Sequence, residues 1–252
     1  MVKRLEFMGI PGSGKTTLCN LVYDELKKSQ KVELFKEQYK DSLKGQIRNQ
    51  GNGLIGYLRF VLLIKLLRGS YIPASTYGEE IIKYMVEHSN IYTNLLNTIV
   101  TTAVPERRNY ILKYLLMDIY KWGVVKKDTS NQNLILMDEG FVHRVLNIYM
   151  YSENNNLDTI LKEFFLTIEF PEVVVNVKCD IDNSINRMEK RKQGIPVGYR
   201  IYKRNEFRKV LVDMEEFNER LLSYLKKEGV KIIEVQNSNL SVAKNEIISA
   251  LY

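Results

Sequence analysis

Near its start the chain reads Gly9-Ile-Pro11-Gly12-Ser13-Gly14-Lys15-Thr16-Thr17, which fills every fixed position of the pattern G-x-x-x-x-G-K-[ST]. The run before it, Val2–Met8, has the character of a buried strand. Behind it Leu18, Leu21, Val22 and Leu26 fall on one helical stripe. A glycine-rich turn between a strand and a helix can wrap an anion, because successive backbone N–H groups point inward and the helix adds the positive end of its dipole. Glycines at 9, 12 and 14 permit the backbone angles and the close approach that this demands. In such a cradle Lys15 reaches the β- and γ-phosphate oxygens of ATP or GTP, and the Thr16 hydroxyl ligates Mg²⁺. A dinucleotide loop is disfavoured, since Gly12-Ser13-Gly14 lacks a third glycine at the needed spacing. Nor is Ser13 a nucleophile on a sharp elbow, because it lies inside the cradle.

The remaining pattern extends this strand–loop–helix opening into an α/β chain. Apolar runs at Val32–Lys36, Leu134–Met137, Val173–Val177 and Val230–Val235 predict four more short strands. Helices are predicted over 14–28, 142–150, 157–166, 182–191, 205–228 and 241–251, and residues 39–53, polar and dotted with glycine, are expected to form a loop. Residues 54–127 read as three helical segments: one ending near Gly69, one over about 79–100 and one over about 106–125. Five strands separated by helices point to a three-layer αβα fold with a five-stranded parallel sheet. A single domain over residues 1–252 is expected, with a helical insertion at about 46–127. Ligands of such sheets bind beyond the carboxyl ends of the strands, where each candidate residue falls.

Asp138 and Glu139 follow the run Leu134–Met137. A carboxylate there can hold Mg²⁺ beside Thr16, and Asp138 is assigned that role. Glu139 then orients a nucleophile or accepts its proton, and Glu37, at the end of the second predicted strand, is the rival for that task. Arg144 is a candidate for binding an acceptor's phosphate or carboxylate in a bidentate fashion. Arg107 opens the third insertion helix beside Arg108; it is carried as an acceptor contact against the plainer reading of a solvated helix face. His143 reads as a packed or partly exposed histidine.

Between Arg187 and Lys209 stand nine basic and two acidic residues, an excess equal to the whole net charge of +7. Arg187 and Arg191, four apart, share one helix face, and Gly194, Pro196 and Gly198 allow a hinge beyond them. Cations on a closing loop suit the charge that develops on a transferring phosphoryl group. The segment 187–204 is therefore expected to be a basic lid.

Two cysteines, Cys19 and Cys179, form no paired motif, and His88 and His143 have no metal-ligand spacing. No signal-peptide pattern precedes the first strand, so a cytoplasmic location is expected. The apolar run Leu54–Leu67 is broken by Arg59 and Lys65 and is too short to span a bilayer, so no integral membrane segment is expected. A helix with one wide buried face is the plain reading of that run. A homodimer interface or contact with a membrane surface is the alternative.

In these motifs the chain resembles the nucleoside and nucleotide kinase group of phosphate-loop proteins, nearest in layout to thymidylate kinase and the deoxynucleoside kinases. Gly9–Thr17, Glu37, Asp138–Arg144 and the Arg187-x-x-x-Arg191 lid carry the resemblance, together with Gln236-Asn237-Ser-Asn239 after the last strand. It implies ATP·Mg²⁺ as donor, a small-molecule phosphoryl acceptor, and Asn237 near the nucleotide's adenine. The acceptor regions depart from the pattern. Asp138-Glu139-Gly140 stands where thymidylate kinases have Asp-Arg and deoxynucleoside kinases Glu-Arg-Ser, and Glu37-Gln38 replaces the usual Glu-Pro. The expected activity is a kinase acting on a nucleoside monophosphate or nucleoside, with a sugar or other metabolite hydroxyl as a further option. The alternatives are an ATPase switch or motor with a protein or nucleic-acid partner, the nucleic acid being disfavoured, and a nucleotide-binding regulator with little turnover.

Overall fold

The computed structural model describes residues 3–49, 82–127, 134–151, 157–192, 194–196 and 199–252. The elements are β1 (Lys3–Met8), α1 (Lys15–Leu26), β2 (Val32–Leu34), α2 (Phe35–Asn49), α3 (Ser89–Thr102), α4 (Pro105–Lys127), β3 (Leu134–Met137), α5 (Phe141–Met150), α6 (Leu157–Thr167), β4 (Val173–Lys178), α7 (Ile181–Glu189), α8 (Arg204–Lys227), β5 (Lys231–Gln236) and α9 (Leu240–Leu251). Residues 82–87 are also helical and run to a break at His88.

All five strands are parallel in the order β2-β3-β1-β4-β5. β1 is central, with Leu5 opposite Leu136 of β3 and Val173 of β4. Alternation along β1 sends Leu5 and Phe7 to one face of the sheet, where they meet Leu18, Cys19, Val22 and Leu26 of α1 and Ala243 and Ile247 of α9. The other face packs against α4, α5 and α8 through Val125, Phe141, Leu211 and their neighbours. Both faces are covered, as a parallel sheet requires, and the fold is the expected three-layer α/β architecture. Since the strands share one direction, the phosphate loop, the Asp138 turn, the start of α7 and Asn237 all emerge at one edge.

Three sequence expectations are corrected. The second strand stops at Leu34, so Glu37 lies in the first turn of α2 and not at a strand end. Residues 39–49 are helix, not loop. The helical region between β2 and β3 accordingly starts at Phe35, ahead of the expected position near 46. The run Leu54–Leu67, in the first insertion helix, lies outside the described residues. Among the described residues no helix is long and apolar enough to cross a membrane.

Candidate active site

The phosphate loop leaves β1 at Met8 and enters α1 at Lys15. Gly9, Gly12 and Gly14 all have positive φ. The requirement is sharpest at Gly9, where φ is 143° and an added Cβ would stand 2.4 Å from the Val177 carbonyl oxygen, a backbone atom that cannot turn aside; at Gly14, with φ 94°, it would stand 2.2 Å from Asn237 Nδ2. Gly14 is also the N-cap of α1 and contributes no side chain there, so the first N–H groups of the helix face the loop.

Several side chains fix the loop from behind. Asn237, 4% exposed, donates from Nδ2 to the Ser13 carbonyl, and its own N–H donates to Lys178 O at 2.8 Å. Arg187 donates to the same Ser13 carbonyl at 3.4 Å and to Asn237 O at 3.0 Å. Ser184 Oγ donates to the Pro11 carbonyl. The guanidinium of Arg187 is thus committed to the backbone of the loop, and Asn237 is a tether between β5 and Ser13. Sequence reasoning missed Ser184; it sits one turn before Met188 on the buried face of α7, a serine at an otherwise apolar position.

Lys15 folds back over the loop, donating from Nζ to Gly9 O at 2.9 Å and Ile10 O at 3.1 Å. Burial pushes its pKa down, against the opposing pull of Glu139 and Asp138 and with some help from Arg191. The Thr16 hydroxyl donates to Asp138 Oδ2 at 3.0 Å, joining two residues 122 positions apart. Thr17, beside it, is exposed. The pair Thr16 and Asp138 offers two hard oxygen ligands at the mouth of the cradle, a set that suits Mg²⁺ completed by phosphate oxygens and water.

Glu139 follows Asp138 at the end of β3 and faces several cations. Burial would raise its pKa, but His143, Lys15, Arg144 and Arg191 outweigh that and hold it below the usual carboxylate range. Arg191, itself exposed, is the lid arginine whose charge reaches both Lys15 and Glu139. By contrast Glu37 pairs with Lys40 at 2.9 Å on the outer face of α2, and it is Glu139 whose charge acts most strongly on Lys15.

Beyond Glu139 the wall is aromatic and ionic. Arg144 donates from Nε to Asp118 Oδ2 at 2.6 Å, with its guanidinium 5.5 Å from the Tyr114 ring. Arg107 stands 5.2 Å over Tyr151, and Tyr110 packs on Tyr114 at 4.8 Å. Arg107, Tyr110, Tyr114 and Asp118 form one stripe of α4, a helix from which the sequence offered only Arg107 and Arg108 as possible acceptor contacts. Their spacing of three and four residues was the available signal.

His143 is partly buried, and burial pushes its pKa down to about 4 although Glu139 pulls the other way and Lys15 and Arg144 add to the fall. The unfolded chain takes up that proton at the ordinary histidine pKa of 6.5, the folded chain not until about 4, so between those values lower pH favours unfolding. Denaturant midpoints should therefore fall more steeply in wild type than in His143→Asn as the pH drops through this window. Parallel curves would contradict the assignment.

The basic run between Arg187 and Lys209 is partly neutralised at the base of the lid. Arg204 pairs with Glu189 at 2.7 Å and bonds Asn186 at 2.9 Å, and Arg208 pairs with Asp182 at 3.4 Å. These contacts staple the first turns of α8 to α7, so the chain between them is fastened at both ends.

No protein-family model matches the chain, and no curated protein matches it by sequence. Among solved structures, thymidylate kinase from Ehrlichia chaffeensis is similar at 12% identity, over 100% of this chain and 99% of that one, with a TM-score of 0.45. Deoxyadenosine kinase from M. mycoides, solved with bound dCTP, is similar at 13% identity over 99% and 98%, with a TM-score of 0.44. The architecture itself rests on the strand order and crossovers described above.

Proposed function

We propose that this chain is a Mg²⁺·ATP-dependent phosphotransferase that passes the γ-phosphoryl group to a small-molecule acceptor. A nucleoside monophosphate or nucleoside is the favoured acceptor, ahead of a sugar or other metabolite hydroxyl. The observation that carries the reading is the meeting of Thr16 and Asp138 at 3.0 Å directly beside Lys15 and the glycine loop. A glycine-rich turn arising by chance has no reason to receive a strand-end carboxylate from 122 residues away.

In this reading Gly9 to Thr17 cradle the donor's phosphates through backbone N–H groups, and Mg²⁺, held by Thr16 and Asp138, neutralises phosphate charge when bound. Lys15 swings from the Gly9 and Ile10 carbonyls onto the β- and γ-phosphate oxygens. Arg191 closes from the lid toward the transferring group, while Arg187 and Asn237 keep the loop in shape. Glu139 receives the acceptor's proton or orients its hydroxyl, a role its position beside Lys15 favours over Glu37. The acceptor lies along the stripe of Arg107, Tyr110 and Tyr114, with Arg144 held in place by Asp118. Rings with cations at their faces suit a planar acceptor that also bears anionic or hydroxyl groups. Catalysis on this plan is positioning and electrostatics.

A nucleic-acid-driven ATPase is less well supported, because Arg204 and Arg208 at the base of the lid are already paired with carboxylates. The test is incubation of the purified chain with Mg²⁺·ATP and a panel of nucleosides, nucleoside monophosphates and sugars, with products read by mass spectrometry. A phosphorylated product formed one for one with ADP is expected. ADP release that is indifferent to every acceptor but accelerated by nucleic acid would overturn the reading.

A further inference from the structure

A buried carboxylate outside the site has a direct hold on it. Glu6 sits on β1, three residues before the phosphate loop, and is 0% exposed. Its Oε1 lies 2.6 Å from Arg4 Nε, and its Oε2 accepts the Val142 N–H at 2.7 Å. Val142 belongs to the first turn of α5, whose N-cap, Gly140, provides no side-chain acceptor. Glu6 supplies that acceptor from another strand, and a negative charge at a helix N-terminus is favourable. Gly140 fits the arrangement closely, since an added Cβ there would stand 2.3 Å from Glu6 Oε2.

Arg4 fixes the carboxylate in turn. It is 2% exposed, its guanidinium lies 5.1 Å from the Trp122 ring and 5.0 Å from the Phe141 ring, and it donates to the Glu169 carbonyl. One end of this assembly is covalently joined to the phosphate loop. The other holds the turn that carries Asp138 and Glu139.

We propose that Glu6 is a positioning residue that sets Asp138 against Thr16, and so tunes the binding of Mg²⁺ with nucleotide, by accepting the Val142 N–H. This rests on the reading of the preceding subsection. A deep carboxylate costs more than an apolar side chain unless its bonds serve something, and here the bond serves the metal-bearing turn.

The probe is a fluorescent, non-hydrolysable ATP analogue titrated with and without Mg²⁺, and the readout is the ratio of the two affinities. Glu6→Gln and Glu6→Met are compared in an Arg4→Met background, so that no cation competes for the amide oxygen and only Gln keeps an acceptor for Val142. Glu6→Met should lose roughly 10- to 100-fold of the Mg²⁺ enhancement, the range seen when a hydrogen-bond partner behind a metal ligand is removed. Glu6→Gln should keep most of it, and affinity without Mg²⁺ should hold in both. Gly140→Ala, which crowds the carboxylate without touching Arg4, should lose the enhancement too and decides the matter if the Glu6 variants do not fold. Retention of the enhancement in Glu6→Met or Gly140→Ala, or an equal fall in Gln and Met, overturns the proposal. A wild-type chain that binds the analogue with no Mg²⁺ dependence overturns it together with the kinase reading.

Discussion

Lys15→Ala should reduce phosphoryl transfer by roughly 10²- to 10³-fold or more, the scale on which removing one preorganised charge-stabilising donor slows an enzyme. Lys15 is 5% exposed and held on the Gly9 and Ile10 carbonyls, so it is already poised within the loop before any phosphate arrives. The glycine loop and the Thr16–Asp138 pair remain in the variant, so nucleotide should still bind, more weakly. Single-turnover measurements with saturating Mg²⁺·ATP separate the two effects. A variant with near wild-type rates would remove Lys15 from the chemistry and with it the mechanism.

The second large effect is on stability. Arg4→Met keeps an unbranched apolar stem but removes the guanidinium that lies over Trp122 and Phe141, and leaves Glu6 with no counter-charge. Breaking a buried pair by removing one partner costs about 3–5 kcal/mol, and for a chain of this size that lowers Tm by on the order of 10 °C. Burial already raises the Glu6 pKa, with Arg4 the main opposing influence, so losing Arg4 should drive the carboxyl further toward its neutral form. The double change Arg4→Met with Glu6→Gln should recover much of the loss, since no uncompensated charge is then buried. Calorimetric melting of the wild type and these two variants checks this. A loss below about 1 kcal/mol in Arg4→Met would mean that the pair is reached by solvent.

The parallel sheet was legible because strands buried on both faces are short continuous apolar runs. Leu134–Met137 matches its predicted bounds, and the predicted Val173–Val177 extends by one residue to Lys178. The helix α2 was not legible. Its buried stripe uses Gln38, Tyr39 and Ser42, and Gln38 Nε2 donates to Ser42 Oγ at 3.1 Å. A stripe whose polar members satisfy each other gives no hydrophobic period, and Gly45 and the basic residues added to the impression of a loop. That error also misplaced Glu37.

Within the site, residues fixed by local chemistry were readable: a glycine loop announces itself over nine residues, and a strand-end Asp points to its own edge. Contacts across the fold were not. Nothing near Arg144 predicts Asp118, which arrives from another helix. Arg187 reads as a lid cation by spacing alone, yet its guanidinium rests on the carbonyls of Ser13 and Asn237. The Arg4–Glu6 pair did leave a trace. Two opposite charges two apart on the central strand share one face of the sheet, and a central strand has no solvent face on which to put them.

The central claim is that the Gly9–Thr17 loop, completed by Asp138, holds a nucleoside triphosphate with Mg²⁺ for transfer. Its most direct test is titration calorimetry of the wild-type chain and Asp138→Ala with a non-hydrolysable ATP analogue, with and without Mg²⁺. The account predicts one site per chain, tighter with Mg²⁺ in wild type, and an Mg²⁺ effect that is lost in Asp138→Ala. No binding by the wild type, or an Mg²⁺ effect indifferent to Asp138, would contradict it.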